Sequence, residues 1–177
     1  MYSKTIMDAE TISRAITRIT YEILERNKGA SELTIIGIRT RGIHLARRIV
    51  DKIEELEGIR PPLGTLDITL YRDDFRRKSE WPKVQKTEIP FSVEDKKVVL
   101  VDDVLYTGRT TRAAIEAMMD YGRPASIQLA VLVDRGYREL PFRADYVGTT
   151  IMTLRTEEVK VLLSEVDGKD EVVVVGE

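Results

Sequence analysis

Residues Val98–Thr111 read VVLVDDVLYTGRTT, and this stretch decides the fold. Its apolar beginning predicts a buried strand, which ends in two adjacent acids, Asp102 and Asp103. A loop rich in hydroxyl groups and glycine follows, and then a helix is predicted over Arg112–Tyr121. A continuous apolar strand followed by a loop and a helix is typical of a parallel sheet, because such strands are buried on both faces.

The alternation of strands and helices continues on both sides of this stretch. Apolar runs predict strands at Leu33–Ile38 and Ser126–Val133, and an alternating pattern predicts another at Leu63–Tyr71. Apolar residues at helical spacing predict helices over 9–28 and 43–57. The predicted fold class is therefore α/β, with a central, mainly parallel sheet flanked by helices.

The pattern changes after about residue 138, where short β-like runs follow one another with no helix between them. These runs are Tyr146–Met152, Val159–Leu163 and Val172–Val175. We expect them to form a small β-rich hood near the carboxyl ends of the main strands. The 177 residues then form one domain, with a core over 1–137 and a hood over 138–177.

Composition narrows the classes of function. The chain has no cysteine and one histidine, His44, which excludes disulfides and leaves too few ligands for a structural zinc site. A net charge of −2 means that nucleic acid would need a local basic patch. No apolar stretch approaches the roughly 18 residues that span a bilayer, and MYSKTIMDAE lacks a signal-peptide core. We expect a cytoplasmic protein without a membrane partner.

The residues that follow the first buried strand predict a sugar-phosphate site. Ligands of open α/β sheets bind outside the carboxyl ends of the strands. Thr107–Thr111 can offer backbone N–H groups, hydroxyls and a helix N-terminus to a phosphate. Asp102 and Asp103 suit sugar hydroxyls, because carboxylates accept hydrogen bonds and repel anions. Two other interpretations of this stretch are possible: a Walker B strand, or a structural turn with surface acids. A Walker B strand requires a GxxxxGK[ST] loop, which the sequence lacks.

The run VVLVDDVLYTGRT resembles the signature of type I phosphoribosyltransferases, which has four apolar residues, two acids and a Thr-Gly loop. The resemblance implies that the two acids bind the ribose hydroxyls of phosphoribosyl pyrophosphate (PRPP), with Mg²⁺ bound mainly through PRPP near them. It implies that the loop binds the 5′-phosphate. The implied PRPP site comprises Asp102, Asp103, Val104, Leu105, Tyr106, Thr107, Gly108, Arg109, Thr110 and Thr111.

Three further segments have a place in the resemblance. Arg39, Thr40, Arg41 and Gly42 correspond to the pyrophosphate loop, which often contains a cis peptide bond, although such a run is by itself more often a solvated turn. The polar stretch from Arg72 onwards, RDDFRRK, predicts a lid in which Arg72 contacts pyrophosphate; a solvated hairpin tip is the alternative. The implied uracil-binding residues are Val133, Asp134, Arg135 and Val159, although the first three also fit a plain strand exit.

The resemblance extends over almost the whole chain. Segments such as TRITYEILERNKG, GIRTRGIHLA and LDITLYRDD are similar to the bifunctional family of pyrimidine-operon attenuators and uracil phosphoribosyltransferases. Tyr106 supports the pyrimidine branch, because hypoxanthine enzymes usually carry an acid there. The implied reaction converts uracil and PRPP to UMP and pyrophosphate, with Asp102, Asp103 and Arg72 as catalytic residues. The alternatives are a UMP-sensing RNA regulator with weak transferase activity and an inactive nucleotide-binding module.

The resemblance also implies binding of pyrimidine-operon leader RNA and assembly into homodimers or larger homo-oligomers. The residues that match the RNA-binding face are Thr17, Arg18, Arg26, Lys28, Arg138 and Arg143. Tyr21 and Tyr137 stand where RNA binders of the family have His, and Thr149 where they have Lys. Phosphate contacts supply much of the affinity for RNA, so we predict that attenuation is weakened or lost. The remaining arginines equally fit an oligomer interface or a solvated face.

Overall fold

The structure is a computed structural model that describes residues 1–73 and 86–177. A 3₁₀ turn at Thr69–Tyr71 precedes the undescribed residues. In chain order the elements are β1 (Tyr2–Met7), α1 (Ala9–Asn27), β2 (Leu33–Ile38), α2 (Arg41–Glu57), β3 (Leu63–Leu66), β4 (Lys97–Leu105), α3 (Arg109–Met119), β5 (Ser126–Asp134), β6 (Tyr146–Thr150), β7 (Glu158–Leu162), α4 (Ser164–Asp167) and β8 (Glu171–Gly176).

The main sheet has five strands in the order β3-β2-β4-β5-β6, and every pairing within it is parallel. A second sheet of three antiparallel strands has the order β1-β8-β7. The predicted fold class, a mainly parallel sheet with helices and a small β-rich addition, is confirmed. The strand β4 lies at the centre of the main sheet. The acids near its carboxyl end therefore lie midway along the row of strand ends where ligands bind.

The division between core and hood differs from the prediction at two places. The run that begins at Tyr146 was expected in the hood, but it forms β6 and pairs with β5 through Ala130 and Tyr146. The hood sheet instead recruits the N-terminal strand, in which Tyr2 pairs with Gly176. A short strand pattern does not specify its partner, because pairing is decided by contacts between residues distant in sequence.

Several element boundaries also move, and they matter for the site. Strand β4 runs through both acids to Leu105 instead of ending before them. Helices α2 and α3 begin at Arg41 and Arg109, so part of each predicted loop is the first turn of a helix. The strand predicted over Leu63–Tyr71 ends at Leu66.

The main sheet is buried on both faces, as the continuous apolar runs predict. Along β4, Val99 and Val101 pack in the cluster that contains the apolar faces of α1 and α2. Val98 and Leu100 point to the other face and pack with Met118 of α3. Because both faces are covered, the open places for a ligand are at the strand ends.

A buried polar cluster joins α1 to the far edge of the sheet. Gln128 Nε2 donates to Asn27 Oδ1 at 2.8 Å, and the Tyr146 hydroxyl donates to Gln128 Oε1 at 2.5 Å.

We expect Tyr146→Phe to lower the free energy of unfolding by about 1–2 kcal/mol, because it leaves a buried acceptor with fewer partners. Urea unfolding followed by circular dichroism measures this, and Tyr21→Phe, at an exposed tyrosine, is the control. An equal loss in both variants would contradict the role of the cluster.

No helix within 1–73 and 86–177 is both long and apolar enough to cross a membrane. The greater part of the predicted lid, from residue 74 onwards and including Trp81, lies outside the described residues. Arg72 and Asp73, at its start, are described and exposed.

Candidate functional site

A pocket of about 260 Å³ opens at the carboxyl end of β4. Its walls come from the end of that strand, the first turn of α3 and the first two residues of the predicted lid. The lining residues are Arg72, Asp73, Val104, Leu105, Tyr106, Thr107, Gly108, Arg109, Thr110 and Thr111. All of them except Asp73 belong to the PRPP and pyrophosphate residues predicted from the sequence.

The two acids lie at the inner end of this region and differ in environment. Asp102 is buried, with 8% of its surface exposed, while Asp103 is half-buried. Each accepts a backbone hydrogen bond from the next residue, at 2.9 and 2.8 Å. Burial raises the pKa of Asp102 well above its usual range, the negative charge of Asp103 raises it further, and Arg72 opposes both. The site therefore holds a buried carboxyl next to a more exposed one, with an arginine nearby.

The loop after β4 is shaped to leave the N-terminus of α3 open. Gly108 is the N-cap residue with φ 92° and has no side chain to cap the helix, although the Arg109 N–H donates to Thr107 Oγ1 at 3.3 Å. The Thr107 carbonyl oxygen accepts hydrogen bonds from the backbone N–H groups of Glu139 and Leu140, both at 2.9 Å. A Cβ on Gly108 would lie 3.1 Å from Phe142 and 3.3 Å from Leu140. The open N–H groups and the helix dipole make a binding place for an anion.

The side chain of Arg109, for which the sequence predicts no separate role, binds two carboxylates. Its guanidinium forms ion pairs with Asp73 at 2.5 Å and with Glu139 at 2.9 Å. Arg109 is also one of the residues that line the pocket. The side chain thus links Asp73, at the start of the predicted lid, to Glu139, in the segment that hydrogen-bonds to the loop after β4.

The arginine loop after β2 lies next to the acids. The Arg39–Thr40 peptide bond is cis, as the resemblance implies. Arg39 Nε donates to the Lys86 carbonyl at 2.8 Å. A Cβ on Gly42 would lie 2.4 Å from the carbonyl oxygen of Val101, in the strand that carries both acids. The close approach of α2 to β4 therefore needs glycine at this position.

Arg41, at the first position of α2, pairs with the hood. Its Nη2 and Nε atoms donate to the two carboxylate oxygens of Asp167, at 2.8 and 3.2 Å. These hydrogen bonds to Asp167 raise the pKa of Arg41, and the charge of Asp103 raises it further. Arg41 thus interacts with a carboxylate of the hood and with Asp103, one of the two acids of β4.

The residues predicted to bind uracil lie in or beside a second cluster next to the pocket, called the base cluster after that prediction, which contains Tyr106, Asp134, Arg135, Tyr137, Arg138 and Thr153. Arg135 is buried and stacks on Tyr106, with Cζ 4.0 Å from the ring centroid. The side chain of Asp134 accepts from Arg138 at 2.6 Å and from the Gly136 N–H at 3.0 Å, so it shapes the turn. Val133 lies in the core cluster against which Val159 packs. Arg135 therefore places a buried positive charge against the ring of Tyr106.

Two polar atoms in this cluster are buried without a hydrogen-bond partner among the described residues: Arg135 Nε and Thr153 Oγ1. The Tyr137 hydroxyl donates to the Thr153 carbonyl oxygen at 2.5 Å, which fixes the segment after β6. Buried polar groups normally find partners, so these two atoms leave hydrogen-bonding capacity unused inside the cluster. Tyr137, predicted only as a lost RNA contact, here supports the pocket wall.

The structure brings together only part of the predicted RNA-binding set. Thr17, Arg18 and Tyr21 line an open groove of about 410 Å³ on α1 with Ser13 and Arg14. Arg18 also donates to the Val147 and Gly148 carbonyl oxygens. The other four predicted residues lie outside this groove. Arg26 pairs with Asp145, and Lys28 is the C-cap of α1 in a left-handed conformation. Arg143 is exposed, and Arg138 lies in the base cluster.

Sequence reasoning missed three carboxylates around the site: Asp73, Glu139 and Asp167. They pair with Arg109 or Arg41 from 36, 30 and 126 residues away. Acids are abundant in this chain, so no local pattern distinguishes these three. Only a predicted contact map would have found them.

The donor set fits Mg²⁺ bound through a diphosphate. Among residues 1–73 and 86–177 no group of three or more acidic or histidine side chains could hold a metal ion. Mg²⁺ usually binds through one or two carboxylates together with substrate phosphates and water, and Asp102 and Asp103 offer two carboxylates. These acids would hold the ion only when PRPP supplies the remaining oxygens.

Comparisons with known proteins agree with this geometry. The family described as "Phosphoribosyl transferase domain" matches residues 3–174. Bifunctional protein PyrR of Deinococcus radiodurans is 59% identical over 166 residues, which cover 94% of this chain and 91% of that protein. Bifunctional protein PyrR of Halalkalibacterium halodurans is 58% identical over 174 residues and 97% of both chains.

Solved structures share the fold at lower identity. The hypoxanthine phosphoribosyl transferase of Trypanosoma cruzi has a TM-score of 0.74 and 20% identity, over 97% of this chain and 90% of that one. The hypoxanthine phosphoribosyltransferase of Staphylococcus aureus has a TM-score of 0.72 and 17% identity, over 98% and 91%. Taken with the acid pair and the phosphate loop, the family match and the two PyrR relatives show that this chain belongs to the phosphoribosyltransferases and, among them, to the bifunctional PyrR proteins.

Proposed function

We propose that the chain converts uracil and PRPP to UMP and pyrophosphate. The observation that carries the proposal is the order of groups along the chain: the acid pair of β4 is followed, six residues after Asp103, by the start of α3. A pocket of about 260 Å³ opens there, lined by Val104–Thr111 and by Arg72. This arrangement offers hydrogen-bond acceptors for sugar hydroxyls and, next to them, donors for a phosphate. High identity to PyrR proteins and Tyr106 in the loop favour a pyrimidine as the acceptor.

The chain's first task is to hold PRPP in one orientation. Asp102 and Asp103 accept hydrogen bonds from the ribose 2′- and 3′-hydroxyls. The N–H groups and hydroxyls of Thr107–Thr111 donate to the 5′-phosphate. Two fixed ends leave the sugar little freedom, so C1 meets the incoming base in a defined geometry.

Bond exchange at C1 requires charge stabilisation rather than a covalent nucleophile. Uracil N1 bonds to C1, the bond from C1 to the pyrophosphate oxygen breaks, and the N1 proton passes to water or to the leaving group. The guanidinium groups of Arg39, Arg41 and Arg72 neutralise the departing anion. When bound, Mg²⁺ supplies further positive charge there. The carboxylates of the acid pair stabilise the positive charge that develops on the sugar.

The base is held by the cluster around Arg135. The two buried, unpartnered polar atoms of Arg135 and Thr153 suit the carbonyl oxygens and the N–H of a pyrimidine. Tyr106 and its stacked Arg135 close one side of this space. Val133 and Val159 lie behind the cluster and exclude water from the ring.

The assay is direct. The protein with PRPP and Mg²⁺ should release pyrophosphate when uracil is added and leave hypoxanthine and orotate unused. Turnover of hypoxanthine or orotate without uracil turnover would reject the substrate assignment. Absence of turnover with any base would favour an inactive nucleotide-binding module. The substrates are metabolites of the cytoplasm, which is therefore the proposed location.

We propose UMP-dependent binding of pyrimidine-operon leader RNA as a second function, weaker than in relatives with the full basic face. The groove of Arg14, Thr17, Arg18 and Tyr21 on α1, together with the printed name "Bifunctional protein" of the relatives, supports it. Tyr21 in place of His removes one potential cation from this groove.

Filter binding of the leader RNA, with and without UMP, tests the second function. We expect weak binding that requires UMP and falls steeply as salt rises from 50 to 200 mM, in roughly the manner of phosphate contacts. The same RNA with a scrambled sequence is the control. Equal binding of both RNAs, or no response to UMP, would reject it.

We also propose a homo-oligomer. Met152 and Leu154, beside the base cluster, are 100% and 64% exposed, which leaves an apolar surface suited to a second copy. Light scattering coupled to gel filtration should give a mass above that of one chain, and a monomer at micromolar concentration would reject it.

A further inference from the structure

Arg41 is a half-buried cation near the acids, and its guanidinium is bound by one carboxylate, that of Asp167. Asp167 accepts from both Nε and Nη2, so the carboxylate grips one edge of the guanidinium. Such an edge-on pair leaves the Nη1 donors unused by Asp167. The arginine side chain is 31% exposed, and the carboxylate 18%. The grip therefore fixes the group without burying it.

Asp167 is itself fixed, so it can act as an anchor. Its carboxylate also accepts from the backbone N–H of Leu163 at 2.8 Å, at the start of α4. The same short helix is tied to α2 a second time, because Arg48 pairs with Glu165 at 2.6 Å and with Asp170 at 2.8 Å. Arg41 and Arg48 are seven residues apart, two helical turns, and so lie on one face of α2.

The backbone at Arg41 and Gly42 brings the start of α2 close to the strand that carries the acids. The next residue, Gly42, is so close to β4 that an added Cβ would lie 3.2 Å from the Cα of Asp102. The charge of Asp103 also acts on Arg41. An anion held near the acid pair is therefore within the field of this guanidinium. A free arginine would lose much rotamer freedom when it bound that anion.

We propose that Asp167 is a positioning residue, which holds the Arg41 side chain in the orientation that binds the pyrophosphate group of PRPP. The inference rests on the proposed function in one respect, that pyrophosphate is the ligand of this loop. Asp167 itself does not touch the ligand. Its contribution is to order Arg41 before the ligand arrives, which makes the hood part of the pyrophosphate site.

A double-mutant cycle tests the proposal with magnesium pyrophosphate as the probe, by calorimetry. Asp167→Asn keeps the acceptor for Leu163 but removes the charge that grips Arg41. We expect it to weaken pyrophosphate binding about tenfold in the otherwise unchanged protein. In an Arg41→Ala background the same change should alter binding less than about twofold, because the residue on which Asp167 acts is gone.

Asp170→Asn is the matched control, because it removes an anchor of α4 to α2 at Arg48 and leaves Arg41 untouched. It should keep pyrophosphate affinity within about twofold. In turnover assays Asp167→Asn should raise KM for PRPP and leave KM for uracil unchanged. If Asp167→Asn melts well below the wild type, Asp167→Glu takes its place, since it keeps the charge and displaces it by one methylene.

The proposal is overturned if Asp167→Asn binds pyrophosphate as tightly as the wild type or more tightly. An equal loss with and without Arg41 also overturns it, since the effect would then be structural. Because calorimetry needs neither uracil nor turnover, a chain that binds pyrophosphate but rejects uracil refutes the proposed function alone. A wild-type chain that does not bind pyrophosphate refutes the positioning role.

Discussion

Asp102→Asn should lower kcat/KM for PRPP roughly 100-fold while it stabilises the folded protein at neutral pH. Asparagine has the same shape and still accepts the Asp103 N–H through Oδ1, which Asp102 accepts at 2.9 Å. It lacks the negative charge that strengthens the hydrogen bond to a ribose hydroxyl, and one charged hydrogen bond contributes about 1.5–3 kcal/mol. Pyrophosphate release at varied PRPP concentration measures the loss.

The gain in stability follows from burial. The pKa of Asp102 is raised in the folded protein, first by burial and then by Asp103, so the folded state binds its proton more tightly than the unfolded chain does. Stability therefore falls as pH rises from the ordinary aspartate range towards the raised pKa. The Asp102→Asn variant does not have this loss of stability, because asparagine carries no charge that must be buried.

Thermal unfolding over a pH series checks this. The difference in Tm between Asp102→Asn and the wild type should be small in acid and increase as pH rises. Asp170→Asn is the control, and its change in Tm should have the opposite sign, because hydrogen bonds from Arg48 lower the pKa of Asp170. That variant should be less stable than the wild type above the ordinary aspartate pKa. A Tm for Asp102→Asn below the wild type at pH 7 would contradict the burial argument.

Gly42→Ala should destabilise the protein by roughly 1–3 kcal/mol and remove most of the transferase activity. An added Cβ would lie 2.4 Å from the Val101 carbonyl oxygen, and both atoms belong to backbones that cannot rotate away. Helix α2 must then move off β4, and Arg41 moves with it relative to Asp102. A displacement of about 1 Å in a catalytic site can reduce the rate on the order of 100-fold.

Chemical denaturation and pyrophosphate release measure the two effects of Gly42→Ala. By helix propensity alone the change from glycine to alanine stabilises a helix by about 0.5–1 kcal/mol, so the sign of the effect tests the tertiary contact. Arg47→Ala, at an exposed position of the same helix, is the control and should leave activity unchanged. A Gly42→Ala protein as stable and active as the wild type would show that α2 tolerates the shift.

Much of the site could be predicted because it is local in sequence. Asp102, Gly108 and Thr111 all lie in one strand, one loop and one helix turn, so fourteen consecutive residues bring them together. The pyrophosphate loop is equally local. The residues that support these loops could not be predicted, since Asp73, Glu139 and Asp167 reach them through contacts between distant segments. The roles of the uracil-binding residues and of the RNA face stay proposals.

Two residues show where local pattern misleads. Arg109 matches the phosphate loop, yet its guanidinium is occupied by two carboxylates. Tyr146 begins a run that resembles its neighbours in the hood, yet it joins the main sheet beside β5. In both cases a partner more than ten residues away determines the role, and sequence pattern does not identify such partners.

The sequence by itself determined the buried strand Val98–Val101, the acids that follow it and the open helix N-terminus beyond Gly108, because period, charge and glycine act on neighbouring residues. The tertiary structure alone decided the strand order, the membership of the hood and the grip of Asp167 on Arg41. Those features depend on which distant surfaces exclude water together and which charges then meet, and neither is encoded in a local pattern.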